Sequence, residues 1–132
     1  MFLNVLNLEQ KTAFLELAHM LANADGVVVN EEETLLLAYE SEMQMERGAY
    51  KVKGISLQSV LEKFSDERSR KIAYVEILAL AQVDSLICDR EQSIIDKVEK
   101  VFAITTEQKE RFLNWLERLN QLYAEGSELV YG

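Results

Sequence analysis

The chain has 132 residues, 48% of them hydrophobic, and a formal net charge of −9. That length suits one domain with a real core, and that apolar fraction argues against disorder. The charge argues against non-specific nucleic-acid binding and against docking on anionic membranes, both of which need Lys and Arg to meet phosphate.

Asn7, followed three residues later by Gln10, predicts an N-cap with a reciprocal capping box. Phe14, Leu17, Ala18 and Leu21 then recur at helical spacing, so a first helix runs to about Ala24 and ends at Gly26, which can take a positive φ. Val27 to Val29 reads as an extended loop tucking a valine or two into the core. Asn30 is expected to cap a second helix with Glu31, Glu32 and Glu33 in its first turn, where the helix dipole favours anions. Leu35, Leu36, Tyr39 and Met43 form its apolar stripe. From Asp25 to Glu46 there are seven acidic residues and no Lys or Arg. Arg47 to Gly54 reverses that balance with three positive charges and two glycines, and reads as the main loop and a hinge between halves.

Ser56 starts a short helix with Leu57, Val60, Leu61 and Phe64 inward. Ser65 or Asp66 opens another, whose stretch Ile72 to Ala81 is apolar almost all round and should be central. Asp89 is expected to cap a helix carrying Ile94, Ile95, Val98 and Phe102. Thr105 with Gln108 repeats the capping box. The last helix carries Phe112, Trp115, Leu116, Leu119, Leu122 and Tyr123, and is expected to end at Gly126. The absence of proline favours long helices. The prediction is an all-α fold, a single domain over residues 1–132 with about six to seven helices.

Asp25 and Asp84 lie 59 residues apart, and each is followed five residues later by Asn30 or Asp89 and two further on by Glu32 or Glu91. An apolar helix precedes each motif and an amphipathic one follows. The repeat, about 8–46 and 66–104, predicts two pseudo-symmetric halves with related turns. A helix–turn–helix corner of this kind can gather oxygen ligands. The first candidate metal site is Asp25, Asn30, Glu32 and Glu33; the weaker second is Asp84, Asp89 and Glu91. Hard oxygen donors suit Ca²⁺, Mg²⁺ or Mn²⁺ better than Zn²⁺. Neither copy is an EF-hand, which needs a denser series of acids and a glutamate at its twelfth position. The same residues have a purely structural reading: N-caps are worth about 0.5–2 kcal/mol each, and first-turn glutamates complement the helix dipole.

The pattern Ala24-Asp25-Gly26 followed by Glu32-Glu33, with a partner turn at Asp84 and Glu91, resembles the tellurite-resistance TerB family. The same helical module occurs in the N-terminal region of some membrane-anchored DnaJ-type co-chaperones. The likeness covers about residues 8–124. It implies an all-helical domain with pseudo-symmetric halves, an acidic cluster that binds divalent metal, and a link to tellurite and other stress responses. Carried over, it marks Asp25, Glu32 and Glu33, and then Asp84 and Glu91. Ser85 replaces the glycine and Gln92 the second acid in the second copy, which weakens that site.

Cys88 is the only cysteine, so no intramolecular disulfide framework is available; its place, equivalent to Val29, points to packing. His19 is the only histidine and reads as a surface or half-buried helix residue. One histidine and one thiol do not build the usual zinc site. No nucleophile elbow, Walker loop or dinucleotide fingerprint is present, so the chain is not expected to be an enzyme. No window approaches the ~20 apolar residues of a membrane helix and no leader pattern opens the chain, so the expected setting is the cytoplasm. The functional expectation is a non-enzymatic TerB-like domain that binds a divalent cation at its first turn and acts through protein partners in stress response or signalling. Two alternatives stand beside it: a metal-free interaction module whose acidic face from Asp25 to Glu46 docks a basic partner, and a metal-dependent hydrolase.

Overall fold

The computed structural model describes residues 1–24, 30–46, 48, 50–83 and 88–132, with the backbone alone at 30–35 and at 83. The described residues are all-helical, with six α-helices and a short 3₁₀ turn at Leu3–Val5. They divide into two units, Met1–Phe102 and Ala103–Gly132.

The first unit contains α1 (Leu8–Ala22), α2 (Asn30–Glu42), α3 (Leu57–Glu62), α4 (Glu67–Val83) and α5 (Asp89–Val101). The α1 start is the capping box read from the sequence. The Asn7 side chain accepts from the Gln10 N–H at 2.8 Å, and the Gln10 side chain accepts from the Asn7 N–H at 3.2 Å. Ser56 caps α3, its hydroxyl accepting from the Ser59 N–H at 3.3 Å. Asp66 caps α4 in the same way, its carboxylate accepting from the Ser69 N–H at 3.2 Å.

The core lies between α1 and α4. α4 buries an unbroken run from Ile72 to Leu78, as its all-round apolar character predicts. α1 buries Ala13 to Ala18 just as continuously, and packs against α2, α3 and α4. Phe14 meets Tyr39 of α2 edge to face, with ring centroids 5.2 Å apart. Phe64 and Phe102 make the same contact at 5.8 Å, below α3 and at the end of α5. Such pairs add about 0.5–1.5 kcal/mol beyond the area they bury.

The end of α2 is built without glycine. Gln44 takes a positive φ of 59°, and the Met45 N–H donates to the Glu40 carbonyl at 2.8 Å. Lys11 of α1 adds a cation there, its ammonium donating to the Met43 carbonyl at 2.9 Å. α3 is closed by Arg70, whose Nε donates to the Phe64 carbonyl at 2.9 Å.

Two boundaries differ from the sequence reading. α5 begins at Asp89 itself; the residue before it, Cys88, is the N-cap and makes no side-chain capping bond. Asp89 is therefore a first-turn acid, stabilised through the helix dipole rather than by capping. Asn30 likewise is the first residue of α2, and its side chain lies outside the described residues.

The second unit is α6 (Thr106–Tyr131), opened by the Thr105–Gln108 capping box. It does not end at Gly126 but runs on to Tyr131. A Cβ at Gly126 would meet nothing within 4 Å, so no close approach demands a glycine there. A single interior glycine costs a helix only about 1 kcal/mol, which the turns on either side outweigh. Leu122, Tyr123, Leu129 and Val130 on this helix are exposed.

Candidate functional site

The segment between α2 and α3 is held by two buried carboxylates. Glu16, in the middle of α1, is 1% exposed. One of its oxygens accepts the Lys53 N–H at 2.9 Å and the Tyr50 hydroxyl; the other accepts the Gly54 N–H at 3.1 Å and the Ile55 N–H at 3.3 Å. Glu40, 3% exposed near the end of α2, accepts the Gly48 N–H at 3.4 Å and the Tyr50 N–H at 3.3 Å. Gly48 and Gly54 supply the positive φ values, 71° and 76°, that turn the chain toward these oxygens. Within the segment read as a hinge, Gly48, Tyr50, Lys53 and Gly54 are thus pinned to α1 and α2.

Burial on its own would push the Glu16 carboxyl up. The hydrogen bonds from Tyr50, Lys53, Ile55 and Gly54 outweigh that and hold it below the usual carboxylate range. Burial and the Glu16 charge push the Tyr50 hydroxyl well above an ordinary phenol. Tyr50 therefore stays protonated and donating while Glu16 stays ionised and accepting.

The pinned loop forms one wall of a cleft of about 530 Å³. Helical spacing builds the other two. On α1, Glu16, His19, Met20 and Asn23 fall on one face at i, i+3, i+4 and i+7, followed by Ala24. On α5, Arg90, Ser93 and Ile94 share a face at i, i+3 and i+4. Gly54, Ile55 and Leu57 come from the loop and the start of α3. The volume lies within the range of small-ligand sites, and the lining mixes apolar surface with a few convergent polar groups, as such sites do. The His19 ring stands 3.2 Å from the Asn23 amide, which donates to the His19 carbonyl at 2.8 Å.

The predicted metal ligands are distributed as follows. Asp25 and Asp84 lie outside the described residues, as do Gly26, Val27 to Val29 and Ser85. Asn30, Glu32 and Glu33 are in the first turn of α2, with side chains outside the described residues. Asp89 is exposed at the start of α5, whereas Glu91, two residues on, is 5% exposed. Among the described residues no group of three or more His, Cys, Asp or Glu side chains is placed to hold a metal. Ala24, the last described residue before Asp25, and Arg90, close after Asp84, line the same cleft.

Sequence reasoning passed over Glu16, Glu40 and Glu76. Glu76 is buried in mid-α4, where it accepts the Phe2 N–H at 2.8 Å and meets the Met1 amino group at 2.7 Å. The signal was present: Glu16 interrupts Phe14-Leu15-Glu16-Leu17-Ala18, and Glu76 sits between Val75 and Ile77. A charge in the middle of an apolar run must be satisfied by buried donors. The burial of Glu40 also removes one acid from the surface expected between Asp25 and Glu46. Among the described residues no helix is long and apolar enough to cross a membrane. No family model matches the chain, and neither a curated protein nor a solved structure matches it.

Proposed function

We propose that the chain is a non-enzymatic recognition module of TerB-like type. In this reading it holds a divalent cation at the acidic corner after α1, with Asp25, Glu32 and Glu33 as ligands, and offers the neighbouring cleft to a partner. The observation that carries it is the convergence of Ala24 and Arg90 on one cleft, since Ala24 directly precedes Asp25 and Arg90 lies between Asp89 and Glu91. Oxygen-rich corners suit Mg²⁺, Ca²⁺ or Mn²⁺.

Substoichiometric Mn²⁺ tests this by paramagnetic broadening of amide signals. The expected result is early loss of the Asn23 and Ala24 signals, abolished by the double substitution Asp25→Asn with Glu32→Gln. Broadening that spreads evenly over the acidic surface, or survives the double substitution, would sink the reading.

A further inference from the structure

The cleft's lining specifies a class of ligand. Met20, Ile55, Leu57 and Ile94 are half-buried, so each shows apolar surface to the opening. Arg90 is the one lining side chain with a permanent positive charge, and none of the ion pairs found among the described residues engages it. Ser93 stands three residues from Arg90 on the same face of α5, which adds a hydroxyl donor beside the guanidinium. The one carboxylate in the wall, Glu16, already accepts four hydrogen bonds, so it is committed to the loop.

Resting on the reading of the cleft as a recognition site, we propose that it binds a ligand with an apolar body and a single terminal carboxylate. The body lies against Met20, Ile55, Leu57 and Ile94, and the carboxylate is held by Arg90 and Ser93. A guanidinium fork matches a carboxylate in two parallel bonds. One cation on a chain of net charge −9 suits a monoanion and disfavours phosphate-rich ligands.

The test is a titration of the full chain with sodium decanoate in chelator-containing buffer, followed through the methyl signals of Met20, Ile55 and Ile94. The expected result is saturable shifts confined to those methyls, with decanol binding about tenfold or more weakly. Arg90→Gln should weaken decanoate by a similar factor while leaving the melting temperature unchanged, Ile94→Glu should abolish binding, and Lys97→Gln, on exposed α5 surface, should change nothing. No saturable shift, equal affinity for decanol, or an unaffected Arg90→Gln variant would overturn the inference. Because metal is absent throughout, none of these outcomes depends on the cation site. Cleft-confined binding of decanol equal to decanoate would remove the carboxylate specificity and leave the cleft as a recognition surface.

Discussion

Glu16 accepts four hydrogen bonds where almost no water reaches it, so its charge and the conformation of residues 50–55 form one system. Glu16→Ala would leave the Tyr50 hydroxyl and three backbone N–H groups without an acceptor. Each such group costs about 1–3 kcal/mol when buried, so the variant should lose about 3 kcal/mol or more in urea unfolding. Because the folded-state pKa of Glu16 lies below that of the unfolded chain, its contribution is complete above the ordinary glutamate value of about 4.3. It is lost as the pH falls through the lower folded-state value. Urea midpoints measured from pH 6 down to pH 2 should therefore fall in the native protein, and fall less in Glu16→Gln. Equal slopes would show that other carboxylates govern acid unfolding. Residue by residue, the sequence pattern exposes these buried acids only as interruptions of apolar runs. Their partners cannot be read there, because Tyr50 and Lys53 are more than thirty residues from Glu16 and meet it only when the loop folds back.

Helix caps are local, and local chemistry is what a single sequence displays best. The Asn7–Gln10 and Thr105–Gln108 boxes and the Ser56 cap all formed where side-chain spacing predicts them. Asp89 and Gly126 misled for a shared reason. Both residue types favour helix ends without being confined to the cap itself: aspartate also suits a first turn, and an interior glycine is tolerated when the turns on either side are helical. Gly126 sits in open space with helix on both sides, so Gly126→Ala should raise helix stability by about 0.5–1 kcal/mol, read by thermal melting in far-UV circular dichroism. At the end of α2 the opposite exchange applies. Gln44 is exposed with a φ of 59°, so Gln44→Gly should stabilise by about 1 kcal/mol despite the added freedom of the unfolded chain. A loss of stability at Gln44→Gly would mean that the glutamine side chain makes up for its backbone strain.

At the scale of the molecule, helical periodicity was enough to predict about six to seven helices, of which six α-helices stand among the described residues, and the unbroken apolar run of α4 was enough to predict its burial. The candidate site was less legible. Its acids are cap-type and first-turn residues whose structural and ligating readings share one spacing, and the cleft beside them joins α1, the loop before α3, and α5 across more than seventy residues. The proposed cation site couples directly to stability, since an ion bound only to the folded state stabilises it. The most direct measurement is the melting temperature after chelator treatment, with Ca²⁺, Mg²⁺ and Mn²⁺ added back singly, beside Asp25→Ala. A cation at 100 times its dissociation constant should add about 2.7 kcal/mol and raise the midpoint by several degrees, and the rise should vanish in Asp25→Ala. An unchanged midpoint with every ion, or a rise that persists in Asp25→Ala, would contradict the account and leave those acids as helix-terminal charges.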